Sequence, residues 1–348
     1  MEKVLMKGNE AVAEAAIMAG CRHFFGYPIT PQNELAAYMS RRMPKVGGTF
    51  MQAESEIAAI NMVIGASAAG VRAMTSSSSP GIALKSEGLS YLAGCDLPAV
   101  VVNIQRGGPG LGGIQPSQAD YFMATRGGGH GDFRKIVFAP NSIQEMVDST
   151  FMAFDLADRY RVTVMILADG ILGQMMEPVA LNAPDSAPLP EKDWAVTCGK
   201  GEKRIVNSLF LKPEDLERVN IERFGRYAEI EKNEARCEKY KTEDADIIVV
   251  AYGAAARVAK NAVEAARAKG LKAGMIRPIT VWPFPNAELA EAAKTAKCFV
   301  AAEMSMGQIV QDVELAIRCS KPVKLCGRTG GMVPAPEEIL AIIEGVGQ

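Results

Sequence analysis

The run Leu97–Gln105, LPAVVVNIQ, restricts the fold more than any other stretch of the chain. A strand with one face in water alternates apolar and polar side chains. A nearly continuous apolar run of this length needs cover on both faces, as in a parallel sheet between helices. Lys135–Phe138 and Val162–Leu167 repeat the pattern. Segments with helical spacing separate such runs: Asn9–Gly20, closed by a glycine, and Glu56–Gly70, rich in small residues. In Ser79-Pro80-Gly81 a serine N-cap and an N1 proline open another helix. Shorter strands are expected at Arg22–Tyr27, stopped by Pro28 and Pro31, and at Arg72–Ser77. Strands separated by helices of this length predict an α/β fold with a doubly wound parallel sheet.

With 348 residues the chain exceeds one typical domain. Composition shifts at Lys200–Asp246, where 23 of 47 residues are charged against 22% overall. Leu216, Val219, Phe224, Tyr227 and Ile230 give that segment one apolar stripe, which predicts a solvated connecting helix. A second α/β unit follows, with strands at Ile247–Tyr252, Lys272–Ile276, Cys298–Ala302 and Val323–Cys326. Its helices are expected at Ala255–Lys269 and from about Glu337. The resulting division is 1–195, a connecting segment 196–245, and 246–348.

Several function classes are disfavoured. Thirty-eight basic residues against 40 acidic leave a net charge of −2, with no polybasic surface for nucleic acid or anionic lipid. No segment approaches the ~20 uninterrupted apolar residues of a membrane span. The first residues lack a signal-peptide core, so a cytoplasmic location is the expectation. Seven cysteines are scattered with a smallest gap of seven residues, outside zinc and iron–sulfur spacings. His23 and His130 are the only histidines, too few for a histidine-rich metal site.

Four places carry chemistry-bearing residues, each with a plain structural alternative. Gly108, Gly110 and Gly113 formally satisfy GxGxxG, but Pro116 interrupts the helix that a dinucleotide site requires. The following strand, ending Phe138-Ala139-Pro140, also lacks the acid for the ribose. A nucleotide-dependent dehydrogenase is therefore a runner-up. His130 stands beside Asp132 in Gly127–Asp132, where Asp132 equally suits a turn cap, and no hydrolase triad order surrounds it. Glu54 and Glu56 precede an apolar helix, either favouring its dipole or supplying a carboxylate that shares a proton with a ligand nitrogen. Arg106 ends the buried strand, where a cation meets an anionic ligand or simply faces water.

Taken together, GYPITPQNE (Gly26–Glu34), ESEIAAINMVIGASAAG (Glu54–Gly70), TSSSSPG (Thr75–Gly81) and QRGGPG (Gln105–Gly110) resemble one family. It is that of the pyrimidine-domain (alpha) subunits of thiamine-dependent 2-oxoacid:ferredoxin oxidoreductases. VAYGAAAR (Val250–Arg257), RPITVWPFP (Arg277–Pro285) and EMSMGQ (Glu303–Gln308) look like that family's smaller, transketolase C-terminal-type domain. The loop at Gly127–Asp132 and ILADGILGQMMEPV (Ile166–Val179) are most similar to the branched-chain, 2-oxoisovalerate (3-methyl-2-oxobutanoate) type.

The resemblance implies oxidative decarboxylation of a 2-oxoacid to its acyl-CoA, with electrons passed to ferredoxin. A branched-chain acid is the expected substrate, with 2-oxoglutarate or pyruvate as alternatives and a non-catalytic scaffold of the same fold as a further one. It implies thiamine diphosphate shared with a beta subunit, and gamma and ferredoxin-like delta subunits beside them. Glu56, the second glutamate of ExEIAAI, would hold the pyrimidine nitrogen, with Tyr27, Pro28 and Ile29 against the cofactor. Thr30 and Arg106 would face the substrate, and His130 is carried as a further candidate proton donor. Ala168-Asp169-Gly170 lacks the first glycine and the later asparagine pair of a diphosphate–magnesium motif. Magnesium, the diphosphate contacts and the iron–sulfur clusters are therefore expected from partner subunits, and the isolated chain is expected to be inactive.

Overall fold

Leu97–Gln105 supplies the centre of a seven-stranded sheet in a computed structural model that describes residues 3–126, 128–183, 188–197 and 203–347. The first half of the chain runs β1 (Val4–Lys7), α1 (Gly8–Met18), β2 (His23–Gly26), α2 (Asn33–Arg42), β3 (Thr49–Gln52) and α3 (Glu56–Ala68). It continues with β4 (Ala73–Ser77), α4 (Ser79–Leu84), α5 (Ser86–Gly94), β5 (Ala99–Gln105), α6 (Tyr121–Thr125) and β6 (Ile136–Phe138). It closes with α7 (Ile143–Tyr160), β7 (Thr163–Asp169), α8 (Gly170–Gln174) and β8 (Met176–Val179). The connecting helix is α9 (Pro213–Glu234); residues 198–202, at the start of the charge-rich segment, lie outside the described residues. The second half comprises β9 (Cys237–Tyr240), β10 (Ile247–Ala251), α10 (Gly253–Ala268), β11 (Ala273–Pro278), β12 (Thr280–Trp282) and α11 (Asn286–Ala292). After these come β13 (Cys298–Glu303), α12 (Ile309–Ala316), β14 (Val323–Gly327) and α13 (Pro336–Gly347).

The large sheet has the order β12-β6-β7-β5-β4-β2-β3 and is parallel except for β12. All seven residues of β5 are buried, as a strand covered on both faces requires. Helices α1, α2 and α7 pack together in one group and α3, α4 and α5 in another. The doubly wound architecture follows. The second sheet, β14-β13-β10-β11-β9, is parallel apart from β9, so the α/β pattern recurs there.

Two features depart from the expected organisation. β12 leaves the second unit and pairs antiparallel with β6, placing Thr280 opposite Phe138 at the edge of the first sheet. Ser79 does not cap its helix. Ser78 takes the cap position, while the Ser79 hydroxyl accepts from the Arg106 amide at 3.0 Å and donates to its carbonyl at 3.2 Å. A residue expected to serve its own helix thus fixes the end of β5 instead.

The two halves share buried polar contacts. The Gln118 side chain donates to Tyr252 O at 2.8 Å and accepts from Met304 N at 2.9 Å. Gly253 sits at φ +54°, and a Cβ there would lie 3.0 Å from Gln118 Nε2, so a glycine is required. Arg277 of β11 is 3% exposed and grips Glu145 of α7 with both terminal nitrogens at 2.9 and 2.6 Å, and Glu238 of β9 at 2.8 Å. Burial alone would pull its pKa down; the two carboxylates outweigh that and raise it. Arg277→Met should lower unfolding stability by about 2–4 kcal/mol, since two partly buried carboxylates lose their counter-charge. Urea denaturation of the purified chain followed by tryptophan fluorescence measures this. A change below ~0.5 kcal/mol would reduce the triad to a surface ornament.

Candidate functional site

The carboxyl ends of β2, β4 and β5 lie side by side, so the loops that leave them converge. The loop after β2 holds Tyr27 and Ile29 half-buried and Pro28 and Thr30 exposed. Gln32, fully buried, folds that loop back by donating to Tyr27 O at 3.2 Å and accepting from Ser76 at 2.5 Å. Arg106, 7% exposed, reaches across from β5 and donates through Nη1 to Thr30 O and through Nη2 to Leu111 O, both at 3.1 Å. Its Nε is buried without a partner. Thr30 and Arg106, 76 residues apart, are therefore brought together, and the buried Nε–H is left without a partner.

Glu56 opens α3 behind Ser55, whose hydroxyl caps the helix by accepting from Ala58 N at 3.1 Å. The cap leaves Glu56 free of the capping role that a first-turn carboxylate often takes. Glu56 is 6% exposed and Glu54 is exposed, so the structure separates two glutamates that the sequence places on equal terms. The Glu56 carboxylate forms no hydrogen bond among the described residues and lies over Gly81 of α4, where a Cβ would come within 2.7 Å of Oε1. The Ser77 hydroxyl, which faces the same point of Gly81, is buried and unpartnered, as are the Thr75 and Ser78 hydroxyls on the same stretch of chain. Buried polar atoms are normally satisfied, so an unbonded carboxylate with an orphan hydroxyl against the same glycine marks a seat for a polar ligand. A flat heterocycle with a protonatable nitrogen matches that donor and acceptor set.

His130 is exposed and its Nδ1 lies 3.2 Å from Ser90 Oγ on α5. It makes no contact with Glu56, Thr30 or Arg106 among the described residues, and Gly127, the first residue of its loop, lies outside them. The Gly107–Gln115 loop closes on itself, with Gly107 N donating to Gln115 O and Gly113 N to Gly107 O at 2.9 Å each. No helix starts until Tyr121, and that one has five residues. A dinucleotide phosphate would find no helix N-terminus at the glycine turn, which removes the dehydrogenase alternative.

Asp169 is 1% exposed and spends both oxygens on the backbone, accepting from Ile171 N, Leu172 N and, across the domain junction, Ala254 N. Burial raises its pKa and the three amides oppose that rise. Its position is structural. Among the described residues no group of three His, Cys, Asp or Glu is arranged to hold a metal.

Three residues escaped the sequence reading. A cavity of about 440 Å³ beside Thr30 is lined by Glu34, Gln115 and Gln174, among others. Glu34 accepts from Gln174 Nε2 at 2.7 Å and from Asn9 Nδ2 at 3.1 Å. Burial pushes its pKa up, but the Gln174 bond, its own backbone amide and the nearby Lys7 ammonium hold it below the ordinary carboxylate range. Glu34 stands inside the quoted GYPITPQNE stretch; Gln115 and Gln174 had no local signal.

Comparison with known proteins identifies the family. Residues 14–207 match the thiamine diphosphate-binding domain model of pyruvate flavodoxin/ferredoxin oxidoreductases, and residues 245–339 match core domain II of pyruvate:ferredoxin oxidoreductase. The chain is 51% identical to ketoisovalerate oxidoreductase subunit VorB of Methanothermobacter marburgensis, over 99% of this chain and 98% of that one. It is 40% identical to 2-oxoglutarate synthase subunit KorA of Methanocaldococcus jannaschii, over 99% and 100%. Among solved structures, a 2-oxoglutarate:ferredoxin oxidoreductase from Magnetococcus marinus superimposes with a TM-score of 0.90 at 29% identity, covering all of this chain and 66% of that one. A split-gene transketolase shares the fold at a TM-score of 0.65 and 14% identity. With full-length relatives and both domain models in register, the chain belongs to the thiamine-dependent 2-oxoacid:ferredoxin oxidoreductase family.

Proposed function

We propose that this chain is the alpha subunit of a branched-chain 2-oxoacid:ferredoxin oxidoreductase and supplies the pyrimidine side of a thiamine diphosphate site completed by a beta subunit. The observation that carries this is Glu56, a buried carboxylate with no hydrogen-bond partner among the described residues, seated on Gly81 beside the unpartnered Ser77 hydroxyl. When bound, thiamine diphosphate supplies a nucleophilic carbon for the 2-oxo group and an electron sink for loss of carbon dioxide. Glu56 holds a proton at the pyrimidine ring nitrogen, and the dry surroundings strengthen that bond. Tyr27, Pro28 and Ile29 form the wall behind the ring. Arg106 turns its unspent Nε–H to the substrate carboxylate while its other nitrogens hold the Thr30 and Leu111 carbonyls, so Thr30 is fixed against the same substrate. His130 is kept as an accessory proton donor at the mouth of the site.

The diphosphate, its magnesium and the iron–sulfur clusters are assigned to partner subunits, beta for the first two and a ferredoxin-like delta with gamma for electron and coenzyme A handling. The capped state of Asp169 supports that division. The described cysteines are all unpaired, which fits a reducing cytoplasm. Similarity to the ketoisovalerate subunits supports the branched substrate over 2-oxoglutarate.

The test is co-expression with the neighbouring subunits followed by viologen reduction dependent on 2-oxoacid and coenzyme A. The complex should favour 3-methyl-2-oxobutanoate over 2-oxoglutarate and pyruvate by about tenfold or more in kcat/KM, a difference of ~1.4 kcal/mol in transition-state binding. The lone chain should show no turnover. Preference for 2-oxoglutarate would overturn the substrate, and activity of the chain alone would overturn the shared site.

A further inference from the structure

Lys85 is a buried cation that the site described above leaves unexplained. It joins α4 to α5, is fully buried, and its ammonium has no hydrogen-bond partner. Its amide donates to Gly81 O at 3.2 Å, so it stands one helical turn beyond the glycine on which Glu56 rests. Burial drives the lysine pKa down to about 8, and the Glu56 carboxylate opposes that fall. Glu56 is the one charge that acts on it; Asp120, buried against β5, accepts from Asn103 at 2.8 Å and its carboxyl is pushed up by burial. Glu87 on α5 is exposed and accepts from Tyr91 at 3.2 Å, Asp169 on β7 is spent on amides, and β4 and β5 carry no charged side chain. An unpaired buried ammonium costs stability, so its retention calls for a use.

The geometry points to Lys85 as a positioning residue that acts through Glu56, its buried charge favouring the ionised carboxylate and so the protonated ring nitrogen. This rests on the role proposed for Glu56. Its action runs through the carboxylate, biasing where the shared proton sits. The two groups are not within ion-pair distance, which leaves both carboxylate oxygens for the ligand. The sign follows from linkage: below pH about 8 the lysine is charged and the bias is present, and above it the bias fades.

The experiment uses the assembled complex loaded with thiamine diphosphate and no substrate. Hydrogen–deuterium exchange at the cofactor's C2 is read by NMR after acid quench for wild type, Lys85→Met and Glu56→Gln. Lys85→Met keeps the volume and removes the charge. Its exchange should be roughly ten- to a hundredfold slower than wild type below pH 8, with the ratio closing toward one above it. Equal rates at every pH, with Glu56→Gln slow, sink the lysine's role and spare that of Glu56. A Glu56→Gln complex exchanging as fast as wild type sinks the underlying assignment. Should Lys85→Met fail to assemble, Lys85→Arg, whose charge persists, must match wild type below pH 8 and exceed it above. Parallel profiles for these two would overturn the proposal.

Discussion

Glu56→Gln should reduce 2-oxoacid-dependent viologen reduction by the assembled complex about 10²- to 10⁴-fold, while subunit assembly is kept. Glutamine preserves the shape and one hydrogen bond but can neither take nor return a proton, and positioned proton transfer contributes about that range. The site offers no substitute: the nearest carboxylate along the chain, Glu54, is exposed, and the orphan atom beside Glu56, on Ser77, is a hydroxyl. Glu54→Gln is thus the matched control and should retain full activity. Loss in Glu54→Gln with retention in Glu56→Gln would exchange the roles of the two residues. Full activity in both would remove the carboxylate from the mechanism.

How much of this was legible beforehand depends on how local the cause is. β5, β7 and β10 were readable because burial of both faces forces an apolar run, and that run needs no knowledge of the partner strand. β3 carries an exposed Thr49, Met51 and Gln52 at a sheet edge, so it has no such run and went unread. β12 has three residues, too few to show a period, and its place beside β6 is set by a chain crossing that no local pattern encodes. The same division holds in the site. The small-residue helix pattern placed Glu56 at a helix start, but only the fold buries it and leaves Glu54 in water. The bond from Arg106 to Thr30 spans 76 positions and has no short-range signature. Lys85 was the least visible. In GIALKSEG a lysine reads as a solvated helix position, and its burial follows from how α3 packs on α4 and α5.

Gly81→Ala provides the steric counterpart to removing the carboxylate. On propensity alone the change should stabilise α4, since alanine is favoured over glycine in a helix by about 1 kcal/mol. Gly81 has no left-handed backbone to protect. What forbids the methyl is the seat: it would meet the Ser77 hydroxyl and lie 2.7 Å from Glu56 Oε1 and 3.1 Å from its Cγ. The hydroxyl can rotate, but the contact reaches the glutamate's Cγ as well as its carboxylate, so relief requires the whole Glu56 side chain to swing away. A displacement of about an ångström at such a group costs on the order of 10²-fold. Gly81→Ala should therefore assemble, melt within a few degrees of wild type, and lose about 10²-fold in kcat. Adding Ser77→Ala relieves the hydroxyl clash alone and should restore little. Recovery of activity in that double variant would assign the defect to Ser77 and free Glu56 from dependence on the glycine, whereas persistence of the loss ties the carboxylate's position to the missing side chain at residue 81.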